Sequence, residues 1–394
     1  MTQHGVTLDA LLEAATALVP EPRDAETCGL DQAAGRTVAD AITADRDHPP
    51  FNRAAMDGYA LRHAEHAEAM PCVGRIDAGA DVTLTVPTGS CVAIATGARV
   101  PKGLDTVVQH EWTNASGDSI EFKRMPDAGA NVHVQADDAA AGTVLVQPGA
   151  TLDTVAIGLA AACGCATLAV RRRPQVAICT SGDEVVAADV APAPHQIRNS
   201  NGHMIRSLVH RLGATVHDML HLHDDADAVL APLADLIAPA DIIVTTGGIS
   251  AGERDVIAAA FDDLGVTWTV IGAMVKPGRP VRLGMLGDTI VVCLPGNPVS
   301  ALVMGSLLLD RVCAAMLGRT ELQWAPAPLA DAVNASPRRT LIRPCHVIDG
   351  TIRIPTWHGS GDLVHAAGSH GLVRVPMQAE PVPAGTLLPY CPWP

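Results

Sequence analysis

The sequence predicts a multi-domain α/β plus β chain, with a doubly wound, mostly parallel α/β domain between β-rich parts. Three observations predict it. Residues 175–318 alternate short apolar strands with helical segments, as a parallel sheet covered on both faces requires. Residues 50–150, and again the stretch from 323 onward, break into short β-like runs separated by Gly, Pro and Asp. A length of 394 residues suits two to four domains, and 48% hydrophobic content argues against disorder.

The elements follow in order. Leu8, Leu11, Leu12, Ala15, Leu18 and Val19 have helical spacing behind a Thr7 cap, and Pro20 and Pro22 close the helix. "VTLTV", "CVAIAT" and "DTVVQHEW" read as strands of an all-β insertion. The glycine-rich 151–170 segment returns to the first unit, and "RRRP" at 171–174 marks a boundary. Beyond it, "QVAICT", "ATVHDML", "DIIVTT", "VTWTVIG" and "TIVVCL" are strands. Helices are expected after the Asn199/Ser200 cap, at 226–238, at 255–264 and at 299–317. The predicted domains are a helical/linker N-terminal unit (1–47 with 143–173), a β-rich insertion (48–142), the α/β domain (174–322) and a C-terminal β-barrel-like domain (323–394).

Composition narrows the function classes. A net charge of −15 argues against coating nucleic acid, which needs a clustered positive surface. Ten cysteines without a CxxC pair read as reduced core packing. The N-terminus lacks a basic n-region followed by a long apolar core, and no charge-free stretch reaches spanning length. A cytoplasmic protein with no membrane and no nucleic-acid partner is expected.

Four loops follow strands of the α/β domain: "TSGDE" (180–184), "HDD" (223–225), "TTGGISAGERD" (245–255) and "PGNPVS" (295–300). Parallel topology sends all four to one sheet edge, where open α/β sheets bind ligands. Thr180, Ser181, Gly182, Thr245, Thr246, Gly247, Gly248 and Ser250 supply hydroxyls and backbone amides for anionic oxygens. Asp183, Glu184, Asp224 and Asp255 can hold a divalent cation or act as bases. Each carboxylate taken singly is as readily a helix cap; it is the set that points to a site. The loop is neither GxGxxG nor GxxxxGK[ST]. "KPGRP" (276–280) presents Lys276 and Arg279 on a proline-stiffened backbone, suited to phosphate or another oxyanion.

"PPFNRAAMDGYAL", "ATGARVPKGLDTVV", "TSGDE", "TTGGISAGERD", "KPGRP" and "LPGNPVSALV", in this order, resemble the MoeA-type molybdopterin molybdenumtransferases, the family of gephyrin's C-terminal domain. "GSGDLVHAAGSHGLVRVP" (359–376) fits the same family. The resemblance implies a molybdopterin-binding α/β domain and the last step of molybdenum cofactor synthesis. In that step adenylylated molybdopterin receives molybdate and AMP is released, with Mg²⁺ required. It implies Asp57, Thr96, Glu184 and Asp255 as catalytic residues, and Glu184, Asp224 and Asp255 as metal ligands. Substrate contacts carried over are Asp138, Ser181, Gly182, Asp224, Thr246, Gly247, Gly248, Ser250, Lys276, Arg279, Pro295, Pro298 and Arg343. A homodimer with its active site near the subunit interface is implied, Asp57 and Thr96 acting across it. Molybdopterin adenylyltransferase and molybdoenzymes are candidate further partners.

The sequence departs from the family in two places. "GANVHVQADDAAAG" (129–142) lacks the usual basic run before Gly-Glu-Asp, and arginine stands second in "KPGRP" where lysine is also common. Two rival readings are weaker. A molybdopterin adenylyltransferase shares the glycine loop but is a single domain, without "PPFNRAAMDGYAL" or a C-terminal β domain. A scaffold would call for an additional domain or a long linker, and neither is evident here.

Overall fold

Val176 and Ile178 pack on one face of a sheet, and Ala177 and Cys179 on the other; all four are fully buried. Burial on both faces is what continuous apolar strands such as "QVAICT" require. The computed structural model describes residues 2–248 and 256–394. They divide into two units, the larger running to Asp40 and including Pro148–Asp153 and Thr167–Pro394, the smaller spanning Ala41–Gln147 with Thr154–Ala166.

The larger unit is built on a seven-stranded sheet. Across it lie Gln3–Val6, Thr267–Ala273, Arg282–Leu286, Thr289–Leu294, Ile242–Thr246, Gln175–Ser181 and Thr215–Leu222. Only Arg282–Leu286 runs antiparallel to its neighbours. Helices Leu8–Ala17, Ser200–Arg211 and Pro298–Leu317 cover one face, and Ala226–Ile237 and Val256–Asp263 the other. The doubly wound expectation therefore holds. Pro298–Leu317 is long and apolar enough to cross a membrane, but its apolar residues form the core of this unit. Its buried Asp310 accepts from Arg319 at 2.9 Å and from the Leu322 amide at 2.7 Å.

Two local expectations are corrected, and one strand goes unread in the sequence. Gln3–Val6 and Leu8–Ala17 belong to the α/β sheet rather than to a separate N-terminal unit: the strand pairs with Thr267–Ala273, and Leu8, Leu11 and Leu12 join the helical core. Helical spacing predicts the helix and its Thr7 cap, yet carries no information about which sheet it covers. Arg282–Leu286 is a strand that "VRLGML" concealed, because Gly284 reads as a turn. It sits where a Cβ would lie 2.6 Å from the Thr267 carbonyl oxygen, so close strand contact demands glycine. "VTLTV" forms no strand; Val86 is buried, but the segment has no ladder partner among the described residues.

The C-terminal segment belongs to the same unit and forms a sheet ordered Val275–Lys276, Thr340–Ile348, Gly371–Val375, Leu387–Pro392, Ala325–Pro328, with Thr351–Arg353 paired to Thr340–Ile348. A bridge between Leu329, just past Ala325–Pro328, and Ile352, with the Ala330 amide donating to the Ile352 carbonyl at 2.8 Å, joins the far end back to Thr351–Arg353, so the strands close in the barrel-like form expected. The closure is thin at Ala325–Pro328, whose two prolines lack ladder N–H groups.

The smaller unit is β-rich, and it spans Ala41–Gln147 with Thr154–Ala166 where 48–142 was expected. Its six-stranded sheet runs Thr106–Gln109, Gly58–Leu61, Cys91–Ile94, Ala69–Ile76, Ser119–Phe122, Thr113–Ser116. All ten cysteines are free, eight of them buried, and burial pushes Cys179, Cys293 and Cys313 up to about 12. They are packing residues, as composition suggested.

Candidate active site

In the larger unit, the carboxyl ends of four parallel strands open on one cavity of about 420 Å³. Thr180, Ser181 and Gly182 line it from the end of Gln175–Ser181, and Thr246, Gly247 and Gly248 from the end of Ile242–Thr246. Pro295, Gly296, Asn297 and Pro298 follow Thr289–Leu294, and Asp224 follows Thr215–Leu222. Glu184 and Asn199 to Asn201 complete the wall. The predicted convergence of loops is real. Gly247 has φ +93°, and a Cβ there would lie 2.9 Å from the Ser181 carbonyl oxygen. Only glycine lets these two loops meet.

A polar chain stiffens the rim. Asn199 Nδ2 donates to Thr180 Oγ1 at 2.8 Å, Thr180 Oγ1 lies 2.9 Å from His221 Nδ1, and His221 Nε2 lies 3.1 Å from the Gly182 carbonyl oxygen. Burial pushes the His221 pKa below the ordinary 6.5, which favours the neutral ring. Neutral His221 then accepts from the Thr180 hydroxyl and donates to Gly182, a tautomer assigned from the network. Asn199 also caps the helix Ser200–Arg211, accepting from the Gly202 amide at 2.9 Å. Two buried cavity-lining oxygens, Ser181 Oγ and Asn201 Oδ1, have no hydrogen-bond partner among the described residues. Ligand donors can satisfy both.

The carboxylates stand beside these orphans. Glu184 folds against Gly182, where a Cβ would meet its Oε2 at 2.8 Å. Asp183, expected to hold a cation or act as a base, accepts from the Asp224 amide at 3.1 Å and contacts His223 Nδ1 at 3.3 Å. It thereby orients the loop that carries Asp224. Glu184, Asp224 and Ser181 form an all-oxygen donor set, which fits a hard divalent cation such as Mg²⁺.

A second cavity, also about 420 Å³, shares Pro280, Pro295 and Asn297 with the first. Lys276, Arg279, Arg339 and Arg343 line it. The strand Val275–Lys276 pairs in parallel with Thr340–Ile348, Lys276 opposite Leu341, and this brings Arg343 to the cations of "KPGRP". Arg343 lies over the Trp357 ring at 4.8 Å, its Nε without a hydrogen-bond partner among the described residues, and burial pushes its pKa down. Such a guanidinium is short of counter-charge, and an oxyanion supplies it.

Asp57, Thr96 and Asp138 lie in the smaller unit and line neither cavity. Two are brought together: Asp57 Oδ1 accepts from the Thr96 amide at 2.7 Å and from its hydroxyl at 3.0 Å. Those bonds, the amide first, hold the exposed Asp57 carboxyl below its usual range, so it stays ionised. Asp138 is exposed, its amide donating to the His48 carbonyl at 2.9 Å. Ser250, Glu253 and Asp255 lie outside the described residues.

Residues 6–164 match the family model of the MoeA N-terminal region (domain I and II), and residues 177–314 that of the probable molybdopterin binding domain. Molybdopterin molybdenumtransferase 2 of Mycobacterium tuberculosis is 31% identical over 381 residues, covering 92% of this chain and 93% of that protein. The chain belongs to the molybdopterin molybdenumtransferase family. The Synechocystis molybdopterin molybdenumtransferase is 28% identical over 382 residues, 93% of this chain and 95% of the relative. Among solved structures, the molybdopterin biosynthesis MoeA protein of Pyrococcus horikoshii OT3 superimposes with a TM-score of 0.85 at 25% identity, covering 99% of this chain and 100% of that one. The molybdopterin-binding match coincides with the loops around the first cavity.

Several residues lining these cavities escape sequence reasoning. His221 carries no motif, and its role depends on register: it faces Thr180 across two parallel strands. Asn199 shows only as a helix cap, and Asn201 and Asn297 are ordinary polar residues until the loops close on them. Arg339 sits two residues past Pro337 in "SPRRTLIRP", and only the pairing of that segment with Val275–Lys276 brings it to the cavity.

Proposed function

We propose that this chain is a molybdopterin molybdenumtransferase that inserts molybdate into adenylylated molybdopterin with release of AMP. The observation that carries this reading is the junction of two cavities: an anion-cradling, carboxylate-bearing one and a cationic one, sharing Pro280, Pro295 and Asn297. A nucleotide-bearing substrate and a tetrahedral oxyanion can then meet at one boundary.

Thr246, Gly247, Gly248, Ser181 and Gly182 would hold the phosphate-bearing substrate through hydroxyls and backbone amides. Lys276, Arg279 and Arg343 would hold molybdate, with Pro295 and Pro298 shaping the wall between. Mg²⁺, held by Glu184 and Asp224 and by Asp255 outside the described residues, would neutralise charge developing at the pyrophosphate. Glu184, exposed at the rim, is placed to exchange protons with departing oxygen. Ionised Asp57, with Thr96 and Asp138, would serve the site of a second copy in a homodimer, in keeping with the family resemblance. Cytoplasmic work beside molybdopterin adenylyltransferase and molybdoenzymes belongs to the same reading.

The test is AMP release from adenylylated molybdopterin by purified protein with Mg²⁺ and molybdate. AMP should appear with molybdate and Mg²⁺ and not without either. Equal release in the absence of molybdate sinks the reading.

A further inference from the structure

His358, Asp362 and His365 form a cluster in the larger unit whose three ligand atoms lie within 4.8 Å of one another. Each Asp362 oxygen is approached by one amide and one imidazole. Oδ2 lies 3.0 Å from the His358 amide nitrogen and 3.2 Å from His358 Nδ1; Oδ1 lies 3.2 Å from the His365 amide nitrogen and 2.7 Å from His365 Nδ1. The two amides fix the carboxylate whatever the rings do. The rings stand 4.9 Å apart between centroids, both aimed through Nδ1 at the same group.

From this geometry we infer that His358, Asp362 and His365 bind a divalent first-row transition ion of the Zn²⁺ class. Two imidazoles and a carboxylate suit such an ion, whereas Mg²⁺ prefers oxygen alone. Metal–nitrogen and metal–oxygen bonds of about 2.0–2.2 Å in a tetrahedral site separate neighbouring ligand atoms by roughly 3.3–3.5 Å. The imidazole nitrogens already stand 2.7 and 3.2 Å from the carboxylate oxygens. Those two contacts need to open by less than about 1 Å while the two imidazole ligand nitrogens, within 4.8 Å of each other, close to a similar spacing; the side chains of His358 and His365, 69% and 40% exposed, are free to make both moves. Each Nδ1 then gives its lone pair to the ion, and its proton moves to Nε2. The site differs in chemistry and residues from the Glu184–Asp224 set, though His358 also lines the cationic cavity.

The experiment uses full-length, tag-free protein, stripped with chelator, kept reduced and titrated with Co²⁺ and then Zn²⁺. We expect one tightly bound Co²⁺ with ligand-field bands and no near-ultraviolet sulfur charge-transfer band, displaced by Zn²⁺. His358→Gln with His365→Gln should lose that equivalent while keeping the Asp362 caps and the unfolding midpoint. Asp362→Asn, which also keeps an oxygen for the amides, should weaken binding at least tenfold. The set Asp45, His48 and Cys163 in the smaller unit is the competing site, so Cys163→Ser should leave Co²⁺ binding unchanged. No bound equivalent, a sulfur charge-transfer band, or binding that survives the double substitution overturns the inference.

Discussion

His221 Nε2 lies 3.1 Å from the carbonyl oxygen of Gly182, tying the ends of two adjacent parallel strands at the rim of the cavity. Removing the ring in His221→Ala strands the Gly182 carbonyl and the Thr180 hydroxyl. A cost of about 1–3 kcal/mol is expected, read as a lower denaturation midpoint, together with weaker substrate binding.

The same residue gives a pH prediction. Its folded-state pKa lies below the unfolded 6.5, so between the two values only the unfolded chain takes up the proton. The contribution is whole above pH 6.5, is lost as pH falls below it, and levels off once pH passes the folded pKa. Melting temperatures of wild type and His221→Gln, compared from pH 8 to about 5, should converge or cross toward the acid end. Parallel curves would remove His221 from the acid sensitivity.

Gly247→Ala should be harmful for two independent reasons, a φ of +93° and a Cβ 2.9 Å from the Ser181 carbonyl oxygen. Backbone strain alone amounts to about 1–3 kcal/mol. Thermal unfolding should record that loss, and calorimetry with AMP should show binding weakened more than tenfold, about 1.4 kcal/mol.

Glu184→Gln keeps size and hydrogen bonding but removes the charge. AMP release should fall by about 10²-fold or more and require higher Mg²⁺, with the melting temperature almost unchanged because the side chain is exposed. A Mg²⁺ titration that superimposes on wild type would place the cation elsewhere.

Arg343→Lys retains charge but loses the planar stack on Trp357, and Arg343→Met loses both. KM for molybdate should rise about tenfold or more in the first and further in the second, with AMP binding preserved. A rise in the AMP dissociation constant instead would assign Arg343 to the nucleotide.

Dimeric sharing of the site predicts complementation. Asp57→Asn and Glu184→Gln proteins, each inactive alone, should recover about a quarter of wild-type activity when coexpressed, since half the dimers then hold one intact site. No recovery, with mixed dimers verified, would put both residues in one subunit's site.

The sequence determined the alternation of strands and helices, the Thr7 and Asn199 caps, and the four loops at strand ends. These are local matters of period and turn chemistry, which neighbouring residues carry among themselves. Six ordered motifs also carried the family. What the tertiary structure decided was pairing between distant segments. Gln3–Val6 adds to the edge of the α/β sheet, and Val275–Lys276 adds to the C-terminal sheet, each through backbone hydrogen bonds that leave no side-chain pattern in sequence. Arg339, Arg343, Lys276 and Arg279 thus come from segments about sixty residues apart to one cavity. His221 acquires its role from register alone, because a one-residue slip would turn it away from Thr180.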